Sequence, residues 1–135
     1  MINVSSAAQE SVNLDALAGN IHLKEAFSAY AQSKLAITMW SRMMDHKYKD
    51  SGPMFIAVNP GSLLASKMVK EGFGVAGKDL GIGADILISC SIDDEFANAG
   101  GLYFDNDLGD FASPHQDALD DSLCKPVVDK ILSIF

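Results

Sequence analysis

The chain has 135 residues, 48% hydrophobic and 21% charged, a composition that suits one compact domain with a buried core and excludes disordered and collagen-like classes. Its net charge is −8, and the stretch between Lys78 and Lys125 holds no Lys or Arg but many aspartates, so it repels phosphate backbones and makes nucleic acid an unexpected partner. No apolar run approaches the roughly 18 to 20 residues of a membrane span, and the start "MINVSSAAQESV" has no signal-peptide pattern, so a cytoplasmic protein without membrane contact is expected.

In chain order, "MINVSS" opens as an apolar strand whose carboxyl end carries Ser5 and Ser6. Residues 7 to 22 read as a loop, with Ser11, Asn13, Asp15, Gly19 and Asn20 supplying turn chemistry. A helix is predicted from about Leu23 to Lys49. Phe27, Tyr30, Lys34, Ile37 and Met44 recur there at three- and four-residue steps, no Pro or Gly interrupts, and "SGP" at 51 to 53 ends it. "MFIAVN" is a second strand, stopped by Asn59, Pro60 and Gly61.

"SLLASKMVKEGF" then reads as a short helix and residues 77 to 97 as another, with Ile82, Ile86, Leu87 and Cys90 as its inward stripe. "GGLYFDND" is the last predicted strand. A long loop follows, then a short helix over residues 123 to 135 with Pro126 in its first turn. Strand, helix, strand, helix, strand at this spacing predicts parallel βαβ units, an α/β sheet covered by helices.

Cys90 and Cys124 lie far apart without CxxC spacing and are expected to be reduced thiols. "DNDLGD" at 105 to 110 faintly suggests a calcium loop, but Gln116 stands where the bidentate glutamate belongs, so a structural loop is expected. His115 has no second His or Cys at metal spacing and reads as a loop residue, while His22 and His46 read as solvent-facing. No metal site is expected.

Tyr30 and Lys34 are the residues with the most chemistry. Four apart on a helix they are neighbours, and an ammonium beside a phenol favours the ionised form that general acid–base catalysis by tyrosine requires. Alone the pair is common on helices. It gains weight because the serines after the first strand and the Asn59 turn after the second both fall at strand carboxyl ends, where open parallel sheets bind ligands.

Taken together, "INVSSAA", "YAQSK" and "VNPGSLLASKM", in that order, resemble the second half of a short-chain dehydrogenase/reductase. The interval between the serine and tyrosine motifs, with "AYAQSKLA" and "GGLYFDND", is similar to the retinol-dehydrogenase-like branch. The resemblance runs over essentially the whole chain. It implies a single partial domain, residues 1 to 135, forming the C-terminal portion of a doubly wound Rossmann-type parallel sheet that lacks the N-terminal Gly-rich βαβ half.

The same resemblance implies roles. Ser6 would hydrogen-bond the oxygen of a small alcohol or carbonyl substrate, and Tyr30 would exchange the proton with it. Lys34 would support Tyr30 and hold the nicotinamide ribose of NAD or NADP. Asn59, Pro60 and Gly61 would shape the turn beneath the nicotinamide, and Ser66 would touch the cofactor's carboxamide or pyrophosphate. The glycines of "GFGVAG" and "GIG" follow a helix and do not replace the missing phosphate turn, so this chain is expected to bind little or no cofactor. The alternative is a non-catalytic α/β module acting in association. Half a sheet leaves an apolar edge, so a homo-oligomer is expected, with Met39, Trp40, Met43 and Met44 as candidate contacts set against plain core packing.

Overall fold

Strand β1 (Ile2–Val4) lies parallel to β2 (Ile56–Asn59), which lies parallel to β3 (Tyr103–Asp105); β4 (Asp110–Ala112) then folds back antiparallel on β3. The result is an open mixed sheet in the order β1-β2-β3-β4. This is a computed structural model, and it describes residues 1–65 and 67–134. The helices are α1 (Leu14–Leu17), α2 (Ala26–Tyr48), α3 (Lys67–Phe73), α4 (Leu80–Ile92) and α5 (Asp121–Ile134), with 3-10 turns at Asp94–Phe96 and Gln116–Leu119.

The alternation of side chains along β2 divides the core between two faces. Ile56 and Val58 point to one side, where Phe104 of β3 meets Ile86, Leu87 and Cys90 of α4 and Phe96 beyond it. Phe55 points to the other, under Trp40 and Met44 of α2 and Val128 of α5. A third cluster joins α2 to α5 through Leu35, Ala36, Met39, Ala118, Cys124 and Val127. The sheet is thus covered on both faces, as the apolar character of β2 requires.

Helix α2 approaches β1 closely because the residues facing it are small and polar. Ser41 accepts from the amide of Asn3 at 2.8 Å, and Thr38 shares a 2.7 Å hydrogen bond with Ser5. Both hydroxyls also donate to the carbonyl one turn back along their own helix, so none is left unsatisfied. At the far end of α2 the buried carboxylate of Asp45 accepts from the Phe55 amide N–H at 3.0 Å, tying the helix to the start of β2.

The sheet departs from the parallel expectation at β4. Gly109, at φ 70, turns the chain back, and a three-residue strand reading Asp-Phe-Ala carries too little alternation to be separated from loop. The stretch read as a loop over 7 to 22 contains α1, because the Asn13 side chain accepts from the N–H groups of Asp15 and Ala16 and so starts a helix, not only a turn. Helix α2 starts at Ala26, not Leu23, and β2 starts at Ile56.

The single helix expected over 77 to 97 is broken at Asp93, which is extended, into α4 and a 3-10 turn. Ile82 is not inward: it is 43% exposed, while Gly83, the position beside it, is buried. The reason is space, since a Cβ at Gly83 would stand 2.6 Å from the Leu64 side chain, so the helix packs on its glycine. Helix α5 begins at Asp121, which places Pro126 inside it and not in its first turn.

The methionine contacts resolve toward packing. Met39 and Met44 are buried in the chain's own core, Met43 packs against it, and Trp40 meets Phe55 edge to face at 5.4 Å, so Met39 and Met44 are closed to an outside partner. Cys90 and Cys124 are free and buried. Among the described residues no helix is long and apolar enough to cross a membrane.

Candidate functional site

Lys34 joins three parts of the structure. Its ammonium lies 5.4 Å from the centre of the Tyr30 ring and donates to the carbonyl of Val4, the last residue of β1, at 2.9 Å. Partial burial lowers its pKa from the ordinary lysine value. The helical spacing read from the sequence therefore does bring the two side chains together, and Lys34 also reaches the carboxyl end of β1. Among the described residues the Tyr30 hydroxyl makes no hydrogen bond, which leaves it able to meet a ligand.

The two serines after β1 have different surroundings. Ser5 is buried, its hydroxyl hydrogen-bonded to Thr38 and 3.1 Å from the Lys34 carbonyl, so it fastens the strand end to α2 one turn below the dyad. Ser6 is half-buried at the mouth of the strand, where its hydroxyl accepts from the Ala8 N–H at 3.1 Å. Its carbonyl accepts from the Gln9 amide at 2.9 Å and from the Tyr103 hydroxyl at 3.1 Å. Burial, with the Asp105 carboxylate near, raises the Tyr103 pKa, so this phenol stays a donor.

The Asn59-Pro60-Gly61 turn stands at the carboxyl end of β2, beside Ser5, whose N–H donates to the Val58 carbonyl at 2.8 Å. Asn59 is only 2% exposed and fully engaged: its amide donates to Asp105 at 2.8 Å and to Asp107 at 2.9 Å, and its oxygen accepts from the Gly61 N–H at 3.2 Å. Gly61 takes φ 127, a conformation that a side chain disfavours. Asn106 donates to the Pro60 carbonyl at 2.9 Å, and Asp107 also receives the N–H and hydroxyl of Ser62 and the ammonium of Lys78 at 3.5 Å.

Asp105 and Asp107 of "DNDLGD" thus have an internal use, as a latch on the Asn59 turn. Among the described residues no group of three His, Cys, Asp or Glu is arranged to hold a metal ion. Partial burial works to raise the Asp107 pKa, but the Ser62 hydroxyl and N–H, the Asn59 amide and Lys78 outweigh it and hold it down at about 2.

A folded pKa below the unfolded one contributes stability above the unfolded value, and that contribution drains as pH falls through the folded value. The gap in urea stability between wild type and Asp107→Asn is therefore expected to be about 1 kcal/mol at neutral pH, after allowing for solvent screening of a partly exposed group. It should close between about pH 4 and pH 2, the window set by the ordinary 3.8 and the lowered value. A gap that stays constant down to pH 2 would show that the Asp107 charge does not hold the turn.

Sequence reasoning missed Thr38, Gln9, Tyr103, Asp105 and Asp107 as supports of this site. Only Tyr103 had a visible cue, a hydroxylated aromatic in an apolar strand that must find a partner when buried. Ser66 lies outside the described residues. His115 caps the 3-10 turn at Gln116–Leu119 by accepting from the Asp117 N–H at 3.3 Å, while His22 and His46 are exposed. A surface cavity of about 640 Å³ opens between residues 12 to 23 and α2, lined by Asn13, His22, Leu23, Gln32 and Ser33 among others.

Fold and site together define an α/β protein with an open mixed sheet and a tyrosine–lysine pair seated at the carboxyl end of its first strand. No protein-family model matches the chain, and no curated protein matches it either.

Proposed function

We propose that this chain carries the proton-transfer face of an NAD(P)-dependent oxidoreductase interconverting a small-molecule alcohol and its carbonyl, built as the C-terminal portion of a doubly wound Rossmann-type sheet in a cytoplasmic protein. The observation that carries the reading is the Lys34 ammonium, held between the Tyr30 ring and the Val4 carbonyl two residues before Ser6. A proton-exchanging phenol needs a cation beside it, and here that cation is bound to the strand whose open carboxyl end carries the Ser6 hydroxyl.

In this reading the Tyr30 hydroxyl gives its proton to a carbonyl oxygen during reduction and recovers one from the alcohol during oxidation. Ser6 orients that oxygen through its hydroxyl, while Tyr103 and Gln9 hold the Ser6 backbone still. The nicotinamide, when bound, supplies or accepts the hydride. The chain's residues fit the ribose end of such a cofactor, because the Lys34 ammonium has one strand carbonyl as acceptor and further N–H groups for hydroxyls. They do not fit the pyrophosphate end. The glycines between 72 and 83 lie in or after helices, and the turn at the end of β2 faces Asp105 and Asp107.

A second reading, a non-catalytic α/β module acting in self-association, is favoured by the internal use of the same groups. Asn59 has no free polar atom, and Lys34 already serves the sheet. Titration followed by NMR separates the two. Nicotinamide mononucleotide is expected to shift Tyr30 and Lys34 resonances at millimolar concentration, with the whole dinucleotide gaining less than about tenfold, because nothing receives its pyrophosphate. Lys34→Met is expected to abolish the shifts. Their absence from the wild type sinks the oxidoreductase reading, and micromolar dinucleotide binding sinks the non-catalytic one.

A further inference from the structure

Strand β1 is the outer edge of the sheet, and its hydrogen-bonding parity can be read from its bonds to β2. The Met1 carbonyl accepts from the Ile56 N–H, and the Ser5 N–H donates to the Val58 carbonyl. Odd-numbered residues therefore face β2, and in a parallel ladder the N–H and C=O of Ile2 and Val4 must point away from it. The Lys34 bond to the Val4 carbonyl agrees with this parity.

An apolar edge of this kind invites strand addition. β1 reads Ile-Asn-Val, without a charge of its own, and Val4 is 44% exposed. The opposite edge, β4, opens with the exposed carboxylate of Asp110 and needs no further protection against a like copy. Among the described residues a charge does reach the β1 edge from α2: Lys34, through the Val4 carbonyl.

We propose that in the 135-residue chain itself Lys34 has a second task as the guard of this edge, occupying the Val4 carbonyl that a second copy of the same chain would need in order to add its own β1. The edge is self-complementary. Two copies related by a two-fold axis through Asn3 set Ile2 of each against Val4 of the other in antiparallel register, and such opposed residues exchange N–H···O=C bonds in both directions. Each of the two pairs requires a Val4 carbonyl, so Lys34 blocks both. The guard rests on the contact of Lys34 with the strand and does not depend on any cofactor or turnover.

Sedimentation velocity at micromolar concentration, paired with amide exchange at Val4, tests the proposal. Lys34→Met and Lys34→Ala are expected to associate at least about tenfold more tightly than wild type, and Lys34→Arg, which keeps a cationic donor, to match it. Met, Ala and Arg are all good helix formers, so α2 persists, as circular dichroism would verify. In the associated variants the Val4 amide should exchange more slowly than in wild type. Association no stronger than wild type overturns the proposal. So does stronger association with Val4 exchange unchanged, which would place the contact on another face or with another partner.

Discussion

Phe96→Ala is expected to remove about 3 to 5 kcal/mol from the stability of the chain, the largest effect of any single truncation in the sheet-and-α4 core. Phe96 is almost wholly buried, its ring 5.0 Å from Phe104 and 5.5 Å from Phe111 between centres, so one side chain holds the 3-10 turn after α4 against both β3 and β4. The cluster behind it contains Ile56, Val58, Cys90, Ala99 and Phe104, and truncating the ring leaves a cavity among them. Domains of this size hold about 5 to 15 kcal/mol in all, so the loss is a large share of the total. Urea denaturation measures it directly. Leu102→Ala, at a half-exposed position on the neighbouring turn, should change stability by less than about 0.5 kcal/mol. A Phe96→Ala loss below about 1.5 kcal/mol would mean that α4 and its turn are not packed on the sheet as described.

Asn59→Ala comes next, at about 2 to 3 kcal/mol, and through a different mechanism. The Asn59 amide stands between the carboxylates of Asp105 and Asp107 and is the donor they share. Its removal leaves two like charges facing each other and frees the Gly61 N–H, so the turn at the end of β2 loses its latch. Because the Asn59 amide is one of the groups holding Asp107 low, the variant's Asp107 should protonate at a higher pH than the wild type's value of about 2. The acid limb of the stability curve is therefore expected to move upward in pH. A variant destabilised equally at pH 7 and pH 3 would show that the lost amide acted through packing alone.

These two residues also show what could be read in advance. Periodicity places Phe96 in a continuous helix, because it does not register a break of one extended residue at Asp93. The neighbours Pro60 and Gly61 mark Asn59 as a strand-ending residue. That its amide is spent on aspartates 46 and 48 residues away cannot be read there, since local chemistry is silent about partners across a loop. The same holds for Tyr103 and Ser6, which lie 97 residues apart in the chain.

The sequence by itself determined the elements whose causes are local. The run of helix formers from Ala26 to Tyr48, the apolar β2 with its Pro-Gly stop, the four-residue spacing of Tyr30 and Lys34, and the placement of both serines at a strand end follow from short-range sterics and hydrophobic periodicity. Tertiary structure alone decided what depends on closing long loops. It turned β4 back antiparallel on β3, gave Ser5 to Thr38 and Ser6 to Tyr103, made Asp105 and Asp107 a latch and not an open acidic loop, and left β1 as an outer edge. It also gave Lys34 a strand carbonyl as well as a tyrosine ring, because a residue one turn along α2 from Thr38 is carried to the end of β1 only when the helix has docked on the sheet.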